Sequence, residues 1–215
     1  MLLNETIKTI RKFETKPKNR DITFADRYSM ALIDAKKIIN LNKKKIITLS
    51  NAFYNDTFRF DQNACTSPHL IIWYGNKQNI SLAKDIFWKS IYKIVQNKYE
   101  MTNFVANEKL KLLYNLAIEN KSLDKIISHD NYIYRYELKK IPKNNDQIRG
   151  KWGIFFETRT DRLSNLTKFI NEKYQTLTYY GVSKKLLVNF IDKNNLVGID
   201  KVVPIGSSMN LSLIW

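Results

Sequence analysis

The sequence predicts an α/β domain, on three observations. From residue 152 onward, segments typical of strands and helices alternate in the order strand, helix, strand, helix, strand. That alternation favours parallel strands joined by crossover helices. The run HLIIWY at residues 69–74 is almost continuously apolar, as expected of a strand buried on both faces. Hydrophobic residues make up 44% of the 215-residue chain, enough for a packed core.

The individual elements follow from hydrophobic periodicity and from the scarce glycines and prolines. The clearest helix repeats apolar residues every three to four positions, with Ser81 as its predicted N-cap. In chain order we expect a helix and a polar linker within 1–20, a strand at 30–33, a helix at 35–54, a strand at 69–74, helices at 82–95 and 106–119, a strand at 131–138, a loop at 142–151, a strand at 152–160, a helix at 163–172, a strand at 175–180, a helix at 183–193 and a strand at 201–205.

The chain carries a formal net charge of +16, which suits either nucleic acid or an anionic small molecule. The lysines are spread along the whole sequence, and the one tight run is at residues 43–45. No known nucleic-acid-binding motif accompanies them, so we do not expect nucleic acid as the main ligand. The charge agrees equally well with a substrate that carries phosphate.

Cysteine and histidine are rare, which limits the kinds of site that the chain can build. Cys65 is the single cysteine, which excludes an internal disulfide and a multi-cysteine zinc site. Two histidines, His69 and His129, leave little for a metal centre, and we expect none. The sequence has no apolar run of membrane-spanning length and no start resembling a signal peptide, so we expect a cytoplasmic protein without a membrane span.

Cys65 lies in the polar segment DQNACTSP, residues 61–68, between a predicted helix and the buried strand. Its immediate neighbours are small, so a substrate can approach the sulfur. Gln62 and Asn63 are candidates to orient that substrate or a water molecule. A thiol is a strong nucleophile toward acyl groups, and the thioester that it forms stays reactive toward hydride. From local pattern alone, the alternative is a buried and inert cysteine, because free cysteine is often buried.

Four segments of the chain occur in the order found in one enzyme family. They are DITFADRYS at residues 21–29, FYNDT and FDQNACTSPH at 53–57 and 60–69, QTLTYYG at 175–181, and the stretch from VPIG at 203–206 to Trp215. With these segments the chain resembles the fatty-acyl-CoA reductases of the bioluminescence type, a branch of the aldehyde dehydrogenase superfamily. The resemblance implies an aldehyde-dehydrogenase-like catalytic domain, a mostly parallel three-layer α/β sandwich.

The resemblance also implies a chemistry for Cys65. Cys65 takes an acyl group from acyl-CoA or another acyl-thioester, its backbone N–H helps to stabilise the oxyanion, and NADPH reduces the acyl-cysteine to a fatty aldehyde. The superfamily carries a glutamate base upstream of the cysteine. Here the nearest carboxylate is Asp26, for which a salt bridge with Arg27 is the alternative role. The superfamily's ribose-binding glutamate has no match, and we expect Glu157 to be a strand-surface residue.

The family places a dinucleotide-binding domain before the cysteine domain. We expect residues 1–20 to be the tail of that domain and residues 21–215 to be the cysteine-containing catalytic domain. No glycine-rich phosphate-binding loop occurs in the chain, so its NADPH-binding residues stay unassigned. The chain alone is therefore expected to lack reductase activity. The expected partners are an acyltransferase or synthetase and an amino-terminal half on another chain.

Two other functions stay open from the sequence. A thiol hydrolase or acyltransferase needs a base beside Cys65. His69 is four residues away but begins a strand, and His129 lies in a polar turn. The second alternative is a catalytically incomplete fragment that acts only as an acyl-carrying or basic nucleic-acid-binding module.

Overall fold

The structure is a computed structural model that describes residues 2–14, 16, 18, 19, 27–119 and 122–210. Within these ranges the strands are β1 (Tyr28–Asp34), β2 (Pro68–Tyr74), β3 (Leu123–His129), β4 (Ile133–Leu138), β5 (Ile154–Thr160), β6 (Tyr174–Tyr180) and β7 (Lys201–Pro204). They form one sheet in the order β3-β4-β5-β2-β1-β6-β7. The β3–β4 pair is antiparallel and the other neighbouring pairs are parallel. The predicted mostly parallel α/β sheet is confirmed.

Helices cover both faces of this sheet and complete the three-layer sandwich. The helices are α1 (Leu2–Ile10), α2 (Ala35–Ile39), α3 (Lys43–Thr57), α4 (Lys77–Lys98), α5 (Asn103–Glu119) and α6 (Lys184–Lys193), with 3-10 segments at Phe58–Phe60, Asn145–Gln147 and Leu163–Lys168. The buried side chains of α2, α3 and α4 join the core on one face of the sheet. Those of α5, α6 and the last 3-10 segment join the core on the other face.

The central strands are apolar on both sides because both faces are covered. On β1, the wholly buried Ala31 and Ile33 contribute to the core under α2–α4, whereas Met30 and Leu32 contribute to the opposite core. Successive side chains of a strand point to opposite faces, so a strand covered twice needs apolar residues at every position. This explains why β1 and β2 stand out in the sequence as continuous apolar runs.

Side-chain caps decide where the helices on the first face begin. The Asp34 carboxylate accepts the N–H groups of Lys36 and Lys37 and starts α2 directly after β1. The Asn76 side chain accepts the N–H of Asn79 and starts α4 at Lys77. The prediction of Ser81 as the N-cap of this helix is therefore wrong. The helix starts about one turn before its apolar periodicity does, and asparagine is a favoured cap.

Two predicted helices differ from the observed ones. The single helix expected at 35–54 is divided into α2 and α3 by residues 40–42, where Asn42 caps the second helix. The helix expected at 163–172 is the shorter 3-10 segment Leu163–Lys168.

The sequence analysis missed β3, which pairs with β4 as an antiparallel hairpin. The segment LDKIISH alternates weakly, and Lys125 and Ile126 are exposed, so its pattern lacks the signal of a buried strand. The strand expected at 131–138 begins later, at Ile133, because the hairpin turn includes Asp130 with φ of 45°.

The parallel pairing gives the sheet two distinct edges. We call the edge where β1, β2, β5 and β6 begin the amino edge, and the edge where they end the carboxyl edge. Because the segment 61–67 leads directly into β2, Cys65 lies at the amino edge.

Candidate active site

The Cys65 loop, residues 61–67, connects the 3-10 turn after α3 to the start of β2. It begins with two left-handed residues, Asp61 with φ of 53° and Gln62 with φ of 63°. This conformation is uncommon outside glycine and persists where surrounding contacts stabilise it. The Asp61 carboxylate accepts a hydrogen bond from the Tyr99 hydroxyl at 2.5 Å.

Gln62 anchors the loop to the amino ends of β2 and β5. It is 1% exposed, and its amide nitrogen donates to the carbonyls of Pro68 at 3.3 Å and Ile154 at 3.1 Å. Its amide oxygen accepts the N–H of Gly153 at 3.1 Å. Both ends of the side-chain amide thus bind backbone groups. These contacts fix the position of the loop, and a role in orienting substrate stays a prediction.

Ser29 holds the carbonyl of Cys65 from the neighbouring strand. Its wholly buried hydroxyl donates to the Cys65 oxygen at 2.6 Å and accepts the N–H of Thr176 at 3.2 Å. The register of β1 against β2 shifts between Ser29 and Met30, and such irregularities redirect side chains. The sequence analysis did not select Ser29, although it ends the DRYS segment on which the resemblance partly rests.

The end of α3 and the loop after β7 hold the other side of the Cys65 loop. The Ser67 hydroxyl donates to the Asp56 carbonyl at 2.7 Å. The buried Asp56 carboxylate accepts the N–H groups of Gly206 at 2.6 Å and Ser208 at 3.0 Å. Burial raises the pKa of Asp56 above its usual value, and these N–H donors act in the opposite direction. The loop after β7 is thereby fixed beside the candidate nucleophile.

Cys65 itself is half-buried, and neither its sulfur nor its backbone N–H is hydrogen-bonded within the described part of the chain. Asn63 is exposed at the surface of the loop, and its side chain likewise contacts no described hydrogen-bond partner. Asp26 lies outside the described residues. Its neighbour Arg27 pairs with Asp200 at 2.5 Å.

Neither histidine has contacts that suit a base for Cys65. His69 is 3% exposed and stacks on Tyr28 with ring centroids 5.4 Å apart. Burial, with a smaller contribution from the positive charge of Arg149, lowers the pKa of His69 to about 3. A group with so low a pKa is a poor acceptor for the thiol proton of Cys65 near neutral pH. His129 lies on the outer strand β3 and stacks on Tyr92.

The amino edge also concentrates buried polar atoms that have no hydrogen-bond partner. Native proteins leave few such atoms, and each one invites an explanation such as bound water or ligand. At the starts of β1, β2 and β6 and in the adjacent loop, those found within the described ranges are Arg27 Nε, His69 Nδ1, Asn145 Oδ1, Gln175 Oε1 and Thr176 Oγ1. This distribution favours the amino edge as a functional region.

Glu157, in contrast, lies in the middle of β5, where it pairs with Ile71 of β2. It is 1% exposed, so the prediction of a strand-surface residue is wrong. Its Oε1 accepts the indole N–H groups of Trp73 at 2.8 Å and Trp88 at 2.7 Å. Its Oε2 lies 3.3 Å from Lys84 Nζ and 3.5 Å from Arg135 Nη1. Tertiary packing, rather than local sequence, brings these partners together.

Within the described residues, no group of three or more histidine, cysteine, aspartate or glutamate side chains is arranged to hold a metal ion. The helices in these ranges also include none with the length and apolar character needed to cross a membrane.

The family model for acyl-CoA reductase (LuxC) matches residues 3–110. The chain belongs to this LuxC family. The matched half of the chain contains β1, the Cys65 loop, β2 and α4. It includes two of the four segments on which the sequence-based resemblance rests, and that resemblance is confirmed. None of the curated proteins matches the chain.

Solved structures of the aldehyde dehydrogenase superfamily share the fold. A bifunctional proline utilization A protein has a TM-score of 0.61 at 12% identity, covering 94% of this chain and 21% of its own. Methylmalonate-semialdehyde dehydrogenase from Oceanimonas doudoroffii has a TM-score of 0.52 at 10% identity, and the match covers 84% of this chain and 39% of that protein. A putative methylmalonate-semialdehyde dehydrogenase from Sinorhizobium meliloti 1021, solved with NAD, has a TM-score of 0.50 at 12% identity. This match also covers 84% of this chain and 39% of that protein.

At these identities the likeness shows the fold alone. The chain spans between a fifth and two fifths of the length of these structures.

Proposed function

We propose that Cys65 is the nucleophile of an acyl-CoA reductase and carries the acyl group as a thioester. The observation that carries this proposal is the Cys65 loop itself. The only cysteine of the chain lies in the segment matched by the LuxC family, and its backbone carbonyl is held by a buried serine. Cys65 as a whole is half-buried, and its sulfur has no hydrogen-bond partner within the described residues.

In the first step, the Cys65 sulfur attacks the carbonyl carbon of an acyl-CoA. The bond from that carbon to the sulfur of coenzyme A breaks, and the released thiol takes up the proton that Cys65 loses. The backbone N–H of Cys65 is free of other described partners and is available to the developing oxyanion. Ser29 and Gln62 keep the loop in place, so this donor needs little rearrangement.

In the second step, hydride adds to the thioester carbon, the carbon–sulfur bond breaks, a fatty aldehyde leaves, and the Cys65 thiolate takes up a proton from water to become a thiol again. A nicotinamide cofactor, NADPH by family resemblance, supplies the hydride. The described residues contain no glycine-rich phosphate loop, so we assign no cofactor-binding residue among them. We place the cofactor on a dinucleotide-binding domain, of which residues 1–20 are the tail. Residues 21–215 then form the catalytic domain.

Other residues have supporting roles in this proposal. Asn63, exposed beside Cys65, is the candidate to contact the substrate directly, and Gln62 acts through the loop backbone. Asp26 stays a candidate base position. Burial lowers the pKa of His69 to about 3, so His69 is a poor candidate for the base that hydrolysis of the thioester would need. An acyltransferase or synthetase partner would load Cys65, and a cytoplasmic location fits such a partner.

Covalent labelling tests the role of Cys65. The chain is incubated with radiolabelled acyl-CoA and resolved under denaturing conditions without thiols. We expect the chain to retain label, the Cys65→Ala variant to lose it, and the neighbouring Asn63→Ala variant to remain labelled. Equal labelling of Cys65→Ala would overturn the proposal. The chain alone is expected to form no aldehyde with NADPH, and aldehyde formation would refute our placement of the cofactor.

A further inference from the structure

A polar cleft of about 560 Å³ opens near the carboxyl edge, on the same face of the sheet as α4. The first turns of α4 form one wall, and side chains of β3, β4 and β5 form the other. The lining reaches Glu157, which pairs with Ile71 in the middle of β2, so about three residues of β2, roughly 10 Å at 3.3 Å per residue, separate the nearest part of the cleft from the Cys65 loop. No residue of the Cys65 loop lines the cleft, so the two sites are distinct.

The topology favours a ligand at this place. β2 and β5 are neighbours, but the chain leaves them toward opposite faces, into α4 after β2 and into the Leu163–Lys168 segment after β5. In open α/β sheets, ligands commonly bind in the crevice beside the carboxyl ends of such strands. The volume also lies within the range of small-molecule sites.

The lining of the cleft is strongly charged, with six basic and four acidic side chains. Part of this charge is neutralised internally, since Lys84 pairs with Glu137 at 2.6 Å and Lys139 lies 3.6 Å from Asp124. Three exposed cations on the rim form no ion pair within the described ranges; they are Lys77, Lys125 and Arg159. Lys125 lies opposite Glu137 in the β3–β4 pair. Burial acts to raise the pKa of Glu137, but the bond from Lys84 and, to a smaller extent, the charge of Lys125 lower it. Lys77 and Arg159 therefore supply the rim charge that is least offset by the described carboxylates.

Arg135 adds a buried donor to this positive rim. It is 4% exposed and lies over the Trp88 ring at 5.4 Å from its centroid. Its Nε has no hydrogen-bond partner within the described residues, and its Nη1 is a long 3.5 Å from Glu157. A buried guanidinium with an unused N–H is costly unless another group completes its hydrogen bonds. Because Arg135 lines the cleft, its guanidinium adds positive charge that favours a bound anion.

We propose that this cleft binds a phosphorylated small molecule about the size of a nucleotide. Guanidinium groups match phosphate oxygens in geometry and charge, and the amino-terminal turn of α4 favours an anion at the same place. The exposed carboxylates of Asp85 and Asp124 accept hydrogen bonds from the hydroxyl or amino groups of the uncharged part. The basic side chains of the lining thus bind the phosphate part of the ligand, and the acidic side chains bind its uncharged part.

Titration calorimetry of the whole chain tests the site, with ADP and inorganic pyrophosphate as probes in 150 mM salt. We expect saturable binding of one ADP per chain, tighter than that of pyrophosphate. The double variant Lys125→Gln, Arg159→Gln should weaken ADP binding at least tenfold. The control Lys44→Gln, Lys45→Gln removes the same charge from exposed positions on α3 and should change the Kd less than twofold.

Three results from the unmodified chain and the rim and control variants would overturn the proposal. They are the absence of saturable ADP binding, equal weakening by the rim and control variants, and ADP binding no tighter than pyrophosphate. Thermal unfolding of each variant confirms that the changed side chains leave the fold intact. The Cys65→Ala variant should bind ADP like the unmodified chain, and a tenfold loss there would contradict a site separate from Cys65.

Discussion

The amino edge and the middle of the sheet stabilise their buried polar groups in different ways. At the amino edge, buried polar side chains bind backbone atoms, as Ser29, Gln62 and the Asp56 carboxylate do around the Cys65 loop. In the middle of the sheet, on the face covered by α4, charged side chains bind one another, with Glu157 between Lys84 and Arg135. The first arrangement positions a backbone loop and leaves several buried polar atoms without partners. The second makes a tightly connected ionic cluster between α4, β4 and β5.

This contrast teaches that a general rule of α/β sheets and a family-specific site need not coincide. The rule that ligands bind beside the carboxyl ends of strands points to the charged cleft. The candidate nucleophile lies at the opposite edge, where β2 begins. Variants that affect one region and spare the other therefore test the comparison directly.

The largest effect on stability is expected from Glu157→Gln. This change removes the ion-pair partner of the buried Arg135 and leaves Lys84 paired with Glu137 alone, and breaking a buried ion pair in this way costs about 3–5 kcal/mol. Urea unfolding measures the loss. The matched control is Glu108→Gln, which breaks an exposed pair with Lys111 and should cost about 0.5 kcal/mol or less. Similar losses in both variants would show that the buried cluster is not a distinct stabilising unit.

The next effect is a dependence of stability on pH that originates at the amino edge. The folded-state pKa of His69 is about 3, below its ordinary value of 6.5, so below that ordinary value the unfolded chain binds a proton that the folded chain does not. This contribution to stability is complete above pH 6.5 and is lost toward pH 3, by about 1.4 kcal/mol per pH unit.

Urea unfolding at pH 7.0, 5.5 and 4.5 measures this slope. The His69→Gln variant should have a flatter profile than the unmodified chain over the same interval. An unchanged slope in that variant would mean that other groups cause the acid sensitivity.

A smaller effect on stability, but a selective effect on chemistry, is expected from Ser29→Ala. Loss of the hydroxyl leaves the Cys65 carbonyl and the Thr176 N–H unpaired and costs about 1–3 kcal/mol. Because the loop is then less well positioned, we also expect acyl labelling of Cys65 to slow about tenfold.

Ser50→Ala is the matched control for this prediction, since Ser50 is wholly buried and donates to Ser90 at 2.8 Å. It should lose a comparable amount of stability while the labelling rate of Cys65 stays unchanged. If both variants slow labelling equally, Ser29 has a structural role alone.

The smallest effect on stability is expected from Asn63→Ala. The side chain is exposed, so the free energy of unfolding should change by about 0.5 kcal/mol or less. If Asn63 contacts the substrate, half-saturation of labelling shifts to a severalfold higher acyl-CoA concentration while the maximal rate is retained. Unchanged half-saturation would remove Asn63 from the site.

Sequence periodicity predicted most of the central sheet because that signal is local. β1 and β2 are buried on both faces, and their apolar runs are visible in a short window. β3 escaped prediction because it lies at the outer end of the sheet and exposes residues such as Lys125. The resemblance selected the Cys65 loop through residues that are adjacent in the chain.

By itself, then, the sequence determined the α/β class, the family and the position of Cys65 before a buried strand. Only the tertiary structure decided which residues hold that cysteine and that Glu157 is buried. The physical reason is distance along the chain. Ser29 is 36 residues from Cys65, Gln62 is 91 residues from Gly153, and Trp73 is 84 residues from Glu157. Strand order brings these partners together, and no local periodicity reports it.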